Sequence, residues 1–265
     1  MLETSATLVQ QLLSIGCGGL VGFSLALTGG GGSTLAVPLL LYVVGIQDAH
    51  MAIGTSALAV AVNAYANLIP HARAGHVRWR MGLVFTATGI VGAFLGSELG
   101  KVVDGRHLIG LFAMLVLVVA VFMVRPKPKC AAGQPPLAQP PPPALPARLS
   151  ASGLGAGAIA GFFGVGGGFL IVPGLMLAAR IPIIDAIGTS LFGVGSFGLT
   201  TAFNYARSGM IDWPIAGLFI FGGIAGGWLG AIAARHLSTR HGALNWIFAG
   251  LIFAIGVYML FRTYG

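Results

Sequence analysis

Apolar positions fall in long uncharged runs separated by short polar breaks. Thr4–Gln47, Leu108–Val124, Leu149–Ala179, Ala186–Ala206, Trp213–Ala234 and His241–Phe261 contain no Asp, Glu, Lys or Arg. A membrane-spanning helix needs roughly 20 consecutive apolar residues. The pattern therefore predicts an all-α, polytopic helical membrane protein embedded in a lipid bilayer. The first run follows Glu3 and has no basic leader, so it reads as a retained helix and not as a cleaved signal.

One stretch breaks the pattern. Residues 125–148, RPKPKCAAGQPPLAQPPPPALPAR, are Pro-rich and cannot span a bilayer. They divide the chain into a first transmembrane repeat at 1–124 and a second at 149–265. The two repeats match. Gly29, Gly31, Gly32, Leu35, Val37 and Pro38 recur 135 residues later as Gly164, Gly166, Gly167, Leu170, Val172 and Pro173. Ala52-Ile-Gly-Thr-Ser56 recurs at an offset of 134 as Ala186-Ile-Gly-Thr-Ser190, and Gly89, Gly92 and Gly96 recur as Gly223, Gly226 and Gly230. Constant spacing over so many positions marks an internal duplication.

Each repeat has one plan: a first segment (about 6–28, and 150–163), a glycine loop, a short second segment (about 33–45, and 168–179), and three clear spans. The spans fall at about 49–70, 80–99 and 106–124, and again at 185–205, 213–234 and 241–261. About 13 residues rise only some 20 Å, too little to cross with ease. The first two segments of each repeat therefore form either a re-entrant hairpin or a full span followed by a half-helix. If they return to their starting side, the repeats are inverted relative to each other. With the linker cytoplasmic, the inverted arrangement puts ten of the 14 Lys and Arg inside, against nine for a parallel one.

Charge and composition narrow the function. Only 8% of residues are charged, 56% are apolar and mean hydropathy is +0.92. The net charge of +8 sits mostly at segment ends, as topology signals do, and no basic stripe with interleaved aromatics suggests nucleic acid. Two cysteines without metal-ligand spacing exclude a disulfide framework, and no metal or cofactor is expected. No Ser-His-Asp order or HExxH motif points to an enzyme. Acids are scarce, so a cationic substrate lacks an obvious counter-charge.

The glycine loops are the strongest candidate chemistry. Neither Thr28-Gly-Gly-Gly-Gly-Ser-Thr34 nor Gly164-Val-Gly-Gly-Gly-Phe169 has the lysine of a nucleotide-binding loop. Glycine permits the left-handed dihedrals of a helix break. A helix restarting after the break presents unpaired N–H groups and about half a positive charge. That makes an anion site without a buried Lys or Arg. The candidate substrate-binding set is therefore Gly30, Gly31, Gly32, Ser33 and Thr34 with Gly166, Gly167, Gly168 and Phe169. The repeated hydroxyls Thr55, Ser56, Thr189 and Ser190 join it, as do Asn63 and Asn204. Arg73 and Arg207 read as cavity-mouth residues that gather anions. Close helix packing is the other reading of every glycine here, and the favoured one for Gly89, Gly92 and Gly96.

The run Gly-x-Gly-Gly-Gly-Phe-Leu-x-Val-Pro at 164–173, followed by Ala-Ile-Gly-Thr-Ser at 186–190, resembles the sulfite exporter TauE/SafE family of membrane permeases. The duplicated layout and the full chain length match it too. The resemblance implies an inner-membrane carrier of sulfur-containing anions such as sulfite, thiosulfate or sulfoacetate. Ser33-Thr34 stands where the second repeat has Gly168-Phe169, which makes one loop more polar. A channel or carrier for a neutral or cationic solute, and a non-transporting assembly factor, are the alternatives. Oligomeric state is not encoded in any pattern found.

Overall fold

The computed structural model describes residues 8–28, 31–124, 145–179, 181–236, 250 and 253–262. Helices account for its architecture. α1 is Leu8–Thr28, and α2 is the run 31–44, which starts as a 3-10 turn (Gly31–Leu35), becomes α (Ala36–Leu39) and ends as a π turn (Leu40–Val44). α3 is Ala49–Arg73, α4 Trp79–Val102 and α5 Gly105–Val124. The second repeat supplies α6 (Leu145–Phe163), α7 (Gly168–Ala179), α8 (Ile183–Arg207) and α9 (Trp213–His236), and α10 is Phe253–Arg262. Among the described residues there is no strand. Five helices, α1, α3, α4, α8 and α9, are long and apolar enough to cross a membrane.

Helix ends follow local chemistry. Asp48 caps α3 by accepting from the N–H groups of His50 (2.7 Å) and Met51 (3.3 Å). α3 and α8 both stop at a left-handed glycine, Gly75 (φ +76) and Gly209 (φ +70), positions related by the repeat. α6 begins at Leu145, four residues inside the stretch read as linker. Its early Pro146 is tolerated there because the first N–H groups of a helix have no intrahelical partner. The rest of the linker, 125–144, lies outside the described residues, as does most of the last expected span.

α3 and α8 form the centre. In each, 72% of the spanning window is buried, against 44% or less in α1, α4 and α9. Leu83, Leu95, Leu99, Phe221, Trp228 and Leu229 face outward as an apolar surface suited to lipid. The flanking helices pair across the repeats: α4 packs on α6, and α1 on α9. Both pairings are glycine-built. A Cβ on Gly157 would meet the Gly89 carbonyl, and one on Gly161 the Ala93 carbonyl. A Cβ on Gly22 would meet Gly223, and one on Gly226 would meet Gly19. With no hydrophobic force between helices in lipid, such backbone approach supplies the dispersion contact that holds them. This is the packing reading of Gly89, Gly92 and Gly96.

Contact order along each pair gives direction. Phe85 lies beside Gly153, Ala93 beside Gly161 and Gly100 beside Phe162, so α4 and α6 are parallel. Ile15 with Gly222, Gly19 with Gly226 and Phe23 with Gly230 make α1 and α9 parallel too. The central pair is antiparallel: Gly54 meets Tyr205 and Met210, Ala61 meets Gly198, Tyr65 meets Gly195, and His71 meets Gly188. α1, 21 residues and about 31 Å long, thus runs the length of α9, whereas α7 has 12 residues and about 18 Å. The first segment of each repeat is a full-length helix and the second a returning half-helix, which hydropathy alone left open.

Adding one methyl at these contacts should be costly. We expect Gly157→Ala to lower thermal stability in detergent by about 1–3 kcal/mol through overpacking against Gly89. Gly155→Ala, where a Cβ meets nothing within 4 Å, should leave the melting temperature unchanged or raised.

Candidate functional site

The two glycine breaks differ in detail. In the second, Gly164 (φ +66), Gly166 (φ +66) and Gly167 (φ +67) all take the left-handed conformation. The chain turns there from α6 into α7, and Leu170 and Ile171 donate back to the Gly167 carbonyl at 2.9 and 3.0 Å. Gly167 and the first turn of α7 therefore present N–H groups with no intrahelical acceptor. In the first break the 3-10 turn packs on α1, with Gly32 against Ser24 and Leu25. Gly29 and Gly30 lie outside the described residues, as does the side chain of Phe169.

The breaks come together. The 3-10 turn that opens α2 contacts α7. Gly166 sits against Val60 of α3 and Val194 of α8, equivalent residues of the two repeats halfway along the antiparallel pair. Gly32, Ser33, Thr34, Gly166, Gly167 and Gly168 are buried, so both breaks lie inside the protein, the second at the level of the α3–α8 crossing. Irregular backbone at that depth is tolerable only where protein or a wet cavity encloses it.

The Gly-Thr-Ser motifs have a symmetric local role. The missing Cβ of Gly54 admits the Met210 carbonyl, and that of Gly188 admits the His76 carbonyl. Thr55 Oγ1 accepts the N–H of Asp212 (3.0 Å), and Thr189 Oγ1 accepts the N–H of Arg78 (2.9 Å). Each motif thereby grips the turn entering a helix of the other repeat, Thr55 at α9 and Thr189 at α4. Ser56 donates to the carbonyls of Ile53 (2.9 Å) and Gly164 (3.2 Å), so it also braces the second glycine loop. Ser190 donates to Ile187 at 2.7 Å.

The remaining candidates separate. Asn204, buried at the end of α8, accepts from Lys101 Nζ (2.9 Å) and donates to Ser97 Oγ (2.7 Å), which ties α8 to the C-terminal end of α4. Lys101 also bonds Glu98 at 3.2 Å. At the opposite end of α4, Arg78 Nε donates to Asp185 Oδ2 at 2.8 Å, with His76 at 3.5 Å from the same carboxylate. Arg73 and Arg207 are exposed at the ends of the antiparallel α3 and α8, hence at opposite ends of the fold, and are not brought together. Asn63 is fully buried with neither amide atom hydrogen-bonded.

Several polar groups escaped the sequence reading. Thr86 Oγ1, Tyr205 Oη and His50 Nδ1 are buried without partners. Thr86 lies near Ile171 of α7, both beside Gly193. No repeat marks these positions, since the residues equivalent to Thr86 and Tyr205 are Ile220 and His71. A shallow surface groove of about 390 Å³, lined by Leu41, Tyr42, Gly45 and Arg262 among others, lies at the far end of α2 from its glycine break. Among the described residues no group of three or more His, Cys, Asp or Glu could hold a metal.

Removing one capping oxygen leaves a buried N–H unpaired. Thr55→Val and Thr189→Val should each lower stability by about 1–3 kcal/mol, and the corresponding Thr→Ser variants, which keep the acceptor, should lose much less on thermal unfolding.

Comparison with known proteins gives the family. The model of the sulfite exporter TauE/SafE family matches residues 14–259. A probable membrane transporter protein of Xylella fastidiosa is 49% identical over 261 residues, covering 97% of this chain and 98% of the relative. The probable membrane transporter protein YdhB of Bacillus subtilis is 27% identical over 80% of this chain and 85% of its own. MJ0441 of Methanocaldococcus jannaschii, of the same description, is 26% identical over 98% of both. No solved structure matches. The family and these relatives are membrane transporters and not enzymes. With its five apolar long helices, the chain is an integral membrane transporter and belongs to the TauE/SafE sulfite exporter family.

Proposed function

We propose that the chain carries small anions, of the sulfur-oxyanion or organosulfonate class, by alternating access between two inverted repeats. The observation that carries this reading is that the second broken helix turns at Val60 and Val194, halfway along the α3–α8 pair, and that the first broken helix packs on α7. Helix N-termini at mid-depth hold an anion with backbone dipoles, where a permanent Lys or Arg would be costly to bury. The anion is held by N–H groups of Gly31–Thr34 and Gly166–Phe169, with the hydroxyls of Ser33 and Thr34 making the first loop the more polar. Support for inversion is that α3 and α8, equivalent helices of the two repeats, run antiparallel. The same directions put Arg73, Arg78, Arg80 and Arg148 at one end of the bundle, the end assigned to the cytoplasm together with the linker in a bacterial inner membrane.

Radiolabelled thiosulfate, sulfite and sulfoacetate should enter proteoliposomes containing the protein. Flux of a neutral solute with no response to any of the three would remove the anion reading. Within that assay, Gly166→Ala places a Cβ 2.9 Å from Val194 at φ +66 and turns the loop N–H groups aside. Strain of about 1–3 kcal/mol at such a position should weaken anion binding roughly tenfold while the protein still inserts. A thermal-shift titration with sulfite checks this, and an unchanged midpoint would leave the glycines a packing role only.

A further inference from the structure

Backbone symmetry between the repeats is not matched by side-chain symmetry, and the differences fall on one side. Gly223 of α9 leaves a gap that receives the Asn63 amide, and Gly227 leaves one that receives the Asn67 amide. Asn67 donates to the Asn63 carbonyl at 2.9 Å, but the Asn63 amide itself bonds nothing, although the residue is 0% exposed. The equivalent gap, at Gly89 of α4, receives Phe197, which stacks on Phe85. Asn67 is likewise replaced by Thr201. The α3–α9 seam thus holds an unsatisfied amide against α9, whereas its twin is filled at the equivalent place by Phe197 and keeps its unpaired polar atoms, Thr86 Oγ1 and Tyr205 Oη, elsewhere along α4 and α8.

The two seams are also fastened differently. α4 is bonded to α8 at both ends, through Arg78–Asp185 (2.8 Å) and through Lys101–Asn204 (2.9 Å). The positions equivalent to Asp185 and Asn204 are Met51 and Pro70, neither of which can complete such a tie from α3 to α9. The bond between Thr55 and the Asp212 N–H joins those elements at one end. A buried amide with no partner costs free energy in the closed state and regains it when water or a polar solute arrives.

We infer that the solute pathway opens along the α3–α9 seam: the α1–α9 pair moves away from α3, uncovering Asn63 and Asn67 as the polar wall the solute contacts, while α4 and α6 stay fastened to α8. This rests on the transport reading above and adds the side, the moving pair and the contact residue.

The test uses the full chain in membrane vesicles, with Cys17→Ala and Cys130→Ala as background. Asn63→Cys and Phe197→Cys are compared for reaction with an anionic sulfonatoethyl and a cationic trimethylammonium methanethiosulfonate; Asn67→Cys and Thr201→Cys form a second matched pair. An open state populated at a few per cent should make positions 63 and 67 react about tenfold faster than 197 and 201 with at least one reagent. Equal rates, faster reaction at 197 and 201, or no reaction at 63 and 67 overturns the proposal. Faster reaction at 63 with the cationic reagent alone would instead reject the anion reading and keep the pathway. Asn63→Leu provides a readout independent of labelling. It should melt no lower than the parent and transport thiosulfate at least about tenfold more slowly, because an unpaired amide stabilises nothing that leucine removes. A lower melting temperature means that the amide is structural and also overturns the proposal.

Discussion

Close backbone approach between α1 and α9, and between α4 and α6, is the contact on which the rest of the structure depends. Lipid offers no solvent for polar backbone and no hydrophobic force between helices. Helices must therefore satisfy their own hydrogen bonds and find attraction in dispersion, which falls off within a fraction of an ångström. The glycine faces at Gly18, Gly22, Gly222 and Gly226, and at Gly89, Gly92, Gly157 and Gly161, remove the Cβ layer that would hold these pairs apart. Because each pair takes one helix from either repeat, the repeats interleave in space. The sequence boundary at the Pro-rich stretch is not a boundary between separate packing units.

That interleaving makes room for the central antiparallel pair. α3 and α8 cross where Gly195 and Gly198 meet Tyr65 and Ala61, and the second glycine break closes on the crossing. Three left-handed glycines, Gly164, Gly166 and Gly167, reverse the chain in a space where a Cβ would meet Ile53, Val194 or Ala160. Conformational freedom and lack of volume are both needed there, which is why that motif is glycine and not asparagine.

Much of this was legible in the chain. A constant offset of 134 or 135 residues exposed the duplication, and the plan of apolar segments located each described long helix to within about five residues. The choice of partner was hidden, because equal motifs in two copies do not say whether Gly89 faces its own repeat or the other. Thr55 and Thr189 stood out as a repeated pair inside apolar helices, but a hydroxyl is both donor and acceptor, and only geometry reveals that each accepts a helix-entry N–H. Asn204 read as a polar helix end, yet its bond to Lys101 spans 103 residues and has no local signature. Asn63 stood in the candidate set from sequence, but that both of its amide atoms are buried without partners shows only in the structure.

Duplication also shapes how two conformations could be balanced. If the repeats were identical, states opening to either face would have equal energy by symmetry, and either flanking pair would move as readily. Here the ion pair at Asp185 and the amide tie at Asn204 act on α4 alone, at both of its ends. Moving α4 means separating Asp185 and Asn204 from the partners that now satisfy them, which costs free energy until water replaces those partners. Moving α9 from α3 breaks one backbone-to-hydroxyl bond and releases an amide that is already unpaired. On the alternating-access reading proposed above, the lower barrier lies with the α1–α9 pair. A symmetric backbone thus gives two equivalent routes, and a few unmatched side chains select between them.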